Sequence, residues 1–170
     1  MVSCSKETPQ VNEQITDPTS LRSVLESATD HLCDSIVVVD LVSSTGDVIG
    51  LVFVGNTDDE LVVGYVFDAG YEPTKTYLYA GDCDLIPMGP AGPRFKDFPY
   101  QASHVPGTTL YAYTISLDDV DECMCIVAMA KFNIIGPGGH VSGSGVAWGE
   151  GTSLGGILGA MYFEYCECID

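Results

Sequence analysis

Residues 153–170, SLGGILGAMYFEYCECID, constrain the fold more than any other stretch of the chain. Small residues give way to a dense apolar run, and the run then alternates. In an extended strand Met161, Phe163 and Tyr165 point to one face, while Tyr162, Glu164, Cys166 and Cys168 point to the other. Such a strand needs neighbours, because its backbone donors and acceptors must be paired. The rest of the chain has to supply a sheet.

It has the runs to do so. Residues 35–42 (SIVVVDLV), 48–54 (VIGLVFV) and 60–67 (ELVVGYVF) are short β-branched segments separated by the turn sequences 44–47 and 55–59. After a loop over 68–75 comes a short strand over 76–80. Residues 108–117 (TTLYAYTISL) alternate, and 123–135 (CMCIVAMAKFNII) form a long buried strand. Glycine loops over 136–145 and 149–156 flank a short strand at 146–148. The long connection 82–107 holds five prolines and reads as functional surface or as a crossing between sheets. About eight strands at intervals of roughly 8–15 residues predict an all-β, antiparallel sandwich, jelly roll or small barrel. One N-terminal helix is expected over 17–32. Asp17 caps it, Pro18 opens it, and Leu21, Val24, Leu25, Ala28 and Leu32 make an apolar stripe that should pack on a sheet. Residues 1–16 read as a flexible arm, and residues 17–170 as a single β-sandwich domain.

Charge narrows the partners. The chain carries 24 acidic against 6 basic residues, a formal net charge of −18. That argues against nucleic-acid binding, which needs clustered Lys and Arg, and against anionic membrane surfaces. It favours cationic partners or divalent ions. The opening MVSCSKETPQ has no apolar signal core, and no apolar run reaches the ~20 residues of a membrane helix.

Three kinds of candidate site stand out. Cys123 with Cys125, and Cys166 with Cys168, each place two sulfurs on one face of a strand. Packed, reduced thiols are the expectation, with a cross-strand disulfide and a four-thiolate zinc site as alternatives. Acidic groups cluster at strand ends. Of these, Asp118, Asp119 and Asp121 are the candidate calcium ligands, at a contact with a neighbouring subunit, since hard cations take several carboxylate oxygens. The histidines His31, His104 and His140 are scattered, and no catalytic role is expected of them. The glycines around Ser142 and Ser144 do not have nucleophile-elbow spacing. Gly149-Glu150-Gly151 with Gly155 has no βα unit to serve as a dinucleotide loop. Trp148 is expected to be a core anchor. No enzyme activity is expected.

The final strand, through Gly159, Met161, Tyr162, Glu164 and Tyr165, resembles the closing strand of the jelly-roll shell domain in coat proteins of small icosahedral RNA viruses. The stretch 127–137 (VAMAKFNIIGP), a strand ending in Gly-Pro, has a related look. The resemblance covers about a tenth of the chain. It implies a virion structural protein that assembles with copies of itself or other coat polypeptides, presents loops to a host receptor or glycan, and has no catalytic residues. The arm departs from the pattern: it has Lys6 and two Glu where shell domains carry a basic segment. A projecting-domain polypeptide that leaves the genome to other chains fits that departure better. A non-viral β-sandwich module that binds a protein or glycan is the other expectation.

Overall fold

The computed structural model describes residues 36–166. β1 (Val37–Ser43), β2 (Val48–Asn56) and β3 (Glu60–Phe67) form a meander. β4 (Tyr71–Gly81) leaves it and pairs along its length with the thirteen-residue β9 (Cys123–Ile135). β8 (Leu110–Ser116) returns to β3, and β10 (Val141–Gly149) joins β9 to β1. β7 (Tyr100–Ser103) lies on the far edge of β4. The circuit therefore runs β8-β3-β2-β1-β10-β9-β4-β7, antiparallel throughout, and the edges β7 and β8 approach each other. This is a sandwich-like near-barrel, the antiparallel all-β architecture that the strand spacing predicts. The small strands β5 (Met88–Gly89) and β6 (Gly92–Pro93) pair with each other. β11 (Thr152–Gly155) pairs with β12 (Ala160–Cys166). The expected arm and helix lie outside the described residues.

β9 is the spine. One edge is taken by β4. The other is shared, with β12 on residues 123–126 and β10 on residues 129–135. The alternating terminal strand thus finds its partner on β9, and the side chains of β9 serve both faces. Met124, Ile126, Ala128, Ala130 and Phe132 enter the inner core between the two halves of the near-barrel, where Leu41, Val52, Val63 and Tyr65 meet them. Cys125, Val127 and Met129 point outward into a second core. The connection 82–99 and the β11–β12 hairpin cover that second core, supplying Ile86, Phe98 and Ala160 around Trp148. Trp148 is the expected anchor: it is fully buried, and its indole N–H donates to the Leu158 carbonyl at 3.0 Å. The long proline-rich connection is therefore a covering layer that buries apolar surface, more than a loop projecting into solvent.

Strands also form inside the expected connection 82–107 and the expected glycine loop 149–156, and two further boundaries differ from the sequence expectation for a local reason. β4 starts at Tyr71, inside the expected loop, because Pro73 sits at a register shift, and β7 pairs with β4 only from Lys75 onward. A proline with no N–H is tolerated at such a place. β10 starts at Val141, inside the expected glycine loop. Its glycines serve close packing: a Cβ at Gly145 would come within 2.8 Å of the Phe132 ring. The turn itself is the short segment Pro137–Gly139, where Gly138 and Gly139 have φ of 83° and 79°.

The cysteine expectation is corrected. Cys123 and Cys166 face each other across β9 and β12 with Cα atoms 4.0 Å apart, and they form a disulfide. Cys125 is bonded to Cys83, which follows β4, at a Cα separation of 5.0 Å. Packed thiols were expected because the residues lie in apolar strands. Register overrides that expectation by placing each sulfur beside another. The start of β9 is consequently stapled to both of its neighbours.

Candidate functional site

The site begins with a register fact. Lys75 on β4 is directly opposite Lys131 on β9. Like charges in that relation repel. Both side chains lie on the outer face and gather on aromatic rings. The Lys75 Nζ is 4.9 Å from the centre of the Tyr77 ring. The Lys131 Nζ is 5.9 Å from Tyr77 and 5.3 Å from Phe95. The rings are fixed in turn: Tyr77 meets Phe95 edge to face at 5.0 Å, and Phe95 meets Trp148 at 6.4 Å. Ring quadrupoles attract the ammonium groups and so hold the two cations together.

Beside Lys131 lies an open groove of about 370 Å³ lined by Thr74, Lys131, Asn133, Ser144 and Val146, among others. Among the described residues neither lysine has an ion-pair partner; the salt bridge found there joins Arg94 and Asp97 at 3.2 Å. In a chain with 24 carboxylates, two adjacent, half-buried and unneutralised lysines make a receptive place for an anionic group. The signal for this site lay in the register, which pairs residues 56 positions apart, and reading either lysine alone misses it.

The sequence candidates fall elsewhere. Asp118 and Asp119 are on the turn Leu117–Asp119 after β8, where the Asp118 N–H donates to Ser116 Oγ at 3.3 Å. Asp119 is near Tyr100, whose hydroxyl pKa is raised first by burial and then by that charge. Tyr79 is raised by burial, by Asp82 and by Asp121. The carboxylates thus attend different tyrosines, and within one chain the structure does not gather them into a calcium site. Among the described residues the group close enough to hold a metal is Cys83, Cys125 and Glu164, and both of its sulfurs are spent in a disulfide.

His31 lies outside the described residues, and His140 is exposed beside the β9–β10 turn. His104 belongs to the seam between β7 and β8. Its Nε2 is 2.8 Å from the hydroxyl of Thr76, which is 2.7 Å from the Tyr113 hydroxyl. Tyr113 also donates to the Thr76 carbonyl at 3.1 Å. Burial lowers the His104 pKa and raises that of Tyr113 to about 12. Thr76 is wholly buried, so this chain of hydrogen bonds closes the seam and offers no nucleophile to solvent. Ser142 Oγ donates to the Ile134 carbonyl at 3.3 Å. No protein-family model, curated protein or solved structure matches the chain.

Proposed function

We propose that the protein is a structural polypeptide that assembles with copies of itself, the acidic turn after β8 of one copy seating on the Lys75–Lys131 pair of another. The lysine pair carries this reading. Copies with a net charge of −18 repel, and a contact that brings cation to carboxylate offsets that repulsion. Tyr79, beside Asp121, lies four residues from Lys75 on the same strand, roughly 13 Å away at ~3.3 Å per residue. A two-fold axis lets two copies exchange these groups reciprocally. The resemblance of the terminal strand to coat-protein shell domains implies self-assembly and supports a coat polypeptide, in the virion. The two disulfides support a setting outside the reducing cytosol.

Light scattering tests the contact. Wild-type protein should form oligomers that dissociate as salt rises. Lys75→Glu with Lys131→Glu should leave monomers, and adding Asp118→Lys with Asp119→Lys should restore assembly. A wild type that stays monomeric, or a double Glu variant that assembles as well as wild type, overturns the proposal. Assembly that needs calcium and is lost with a chelator assigns Asp118, Asp119 and Asp121 the bridging role instead. A second reading, a module that binds an anionic glycan or an acidic protein, draws on the half-buried Phe95 ring beside Lys131. A monomer that binds sulfated glycan through Lys131 would favour it.

A further inference from the structure

Cys125 stands at the centre of a cross-strand row, with Gly81 of β4 opposite it on one side and Glu164 of β12 on the other. Its sulfur is joined to Cys83, two residues beyond Gly81. The Sγ atoms of Cys83 and Cys125 and a carboxylate oxygen of Glu164 all lie within 4.8 Å of one another. Three separate parts of the chain thus deliver two sulfurs and one oxygen to one point. The turn that carries Cys83 is fixed around Asp82. The Asp84 N–H donates to Asp82 Oδ1 at 2.8 Å, and the Asp82 carbonyl accepts from the Leu85 N–H at 3.1 Å and from Tyr79 Oη at 2.6 Å. Cys125 is buried, whereas Cys83 and Glu164 are exposed, so the point opens to solvent on one side.

We propose that in the reduced chain Cys83, Cys125 and Glu164 hold a zinc ion, and that oxidation exchanges the ion for the disulfide. Zinc takes thiolate sulfur at about 2.3 Å and carboxylate oxygen at about 2.0–2.2 Å in a tetrahedron, which sets neighbouring donors about 3.6–3.8 Å apart. The three donors are near that spacing, and the exposed side chains of Cys83 and Glu164 can turn to meet it. Water completes the fourth position on the open side. Thiolates select zinc over calcium or magnesium. Two thiolates and a carboxylate bring three negative charges together, with Asp82 and Asp84 flanking Cys83. Without a cation the reduced sulfurs keep their protons, and the dication displaces those protons as it binds. The cysteine pairs that share a strand are not the unit. Cys123 and Cys166 occupy another row, bonded to each other, and among the described residues they join no such group of donors.

The exchange balances with a low-molecular-weight disulfide as oxidant. The two protein thiolates become the Cys83–Cys125 bond, the oxidant takes their two electrons and leaves as two thiolates, and the zinc ion is released. The start of β9 is tied to its neighbours on either side of the exchange.

Metal titration of the full chain tests the proposal. Wild-type protein reduced with a phosphine should bind one zinc ion in a manner that depends on Cys83. Cobalt in its place should show a thiolate-to-metal charge-transfer absorption, and the oxidised protein should show none. Cys83→Ser should remove that absorption, and Cys123→Ser with Cys166→Ser should keep it. Glu164→Gln, whose oxidised form should melt as wild type does, should weaken zinc binding at least about tenfold. An unfolded chain that chelates through its cysteines is indifferent to Glu164, so unchanged affinity in Glu164→Gln overturns the proposal. So does reduced wild type without the charge-transfer absorption, or a Cys83→Ser variant that keeps it. Excess oxidised glutathione added to the zinc-loaded chain should release one ion for each Cys83–Cys125 bond formed, and zinc retained after that bond has formed overturns the exchange.

Discussion

Lys75 and Lys131 are directly opposite one another on β4 and β9, with their ammonium groups gathered over Tyr77 and Phe95. Cross-strand like charges cost stability, and a fold selected for stability alone would place a carboxylate at one of the two positions. The expected consequence is a trade. Lys75→Gln should leave the monomer as stable as wild type or more so, by up to about 0.5 kcal/mol, while weakening assembly. Urea denaturation at dilution, paired with light scattering at high concentration, reads both effects. A marked loss of monomer stability would show that the pair is a structural element in its own right.

The disulfides differ in access. Cys123 and Cys166 are both exposed, whereas Cys125, the partner of Cys83, is fully buried. A mild reductant should therefore open Cys123–Cys166 first, as followed by alkylation and mass spectrometry. Each bridge spans a long separation, 42 and 43 residues. In the chain-entropy account such a loop is worth on the order of 4 kcal/mol, so Cys83→Ala with Cys125→Ala should lower the urea midpoint clearly. An unchanged midpoint would remove the stapling of β9 from the account of stability.

Much of this fold is legible because it is periodic. β3 and β9 have the bounds that their β-branched runs predict, and the terminal strand pairs through the alternation seen in MYFEYC. The misreadings share one cause. Gly143 and Gly145 look like loop residues until Ile134 and Phe132 are known to lie across from them, and Pro73 looks like a strand breaker until the register shift is seen. The lysine pair and the Cys83–Cys125 bridge are long-range facts of the same kind. Local pattern specifies a strand, but which residue it meets depends on register, and register is set by the whole sheet.

Glycines in β3 and β10 make a direct test of those contacts. Adding a Cβ at Gly64 puts it within 2.1 Å of the Phe53 ring, and at Gly145 within 2.8 Å of Phe132. Gly145→Val should cost about 1–3 kcal/mol, and Gly64→Val at least as much, because Phe53 is buried and has little room to turn. Phe53→Ala should partly rescue Gly64→Val, a coupling that a double-mutant cycle measures. Strict additivity would mean that the ring is not what the glycine accommodates.

The seam between β7 and β8 should set the pH limits of the fold. Burial lowers the His104 pKa below the ordinary ~6.5, so the unfolded chain takes up the proton first as the pH falls. The stability linked to His104 is present above pH about 6.5 and is lost as the pH drops from there through the depressed folded value. The tyrosines act at the other end. Tyr113 is pushed up to about 12, and Tyr65, whose hydroxyl donates to the Tyr77 carbonyl at 2.9 Å, is raised by burial and by Tyr113. The unfolded chain ionises its tyrosines near pH 10, so stability is lost as the pH climbs above that value. His104→Gln should flatten the acid limb relative to wild type, since an amide can keep the bond to Thr76 without titrating. Tyr113→Phe should shorten the alkaline limb. It should also cost about 1 kcal/mol at neutral pH, because Thr76 loses the hydroxyl that holds both its side chain and its carbonyl. Urea midpoints measured across the pH range decide the matter. An acid limb as steep in His104→Gln as in wild type would place acid sensitivity in the carboxylates and leave the seam histidine silent.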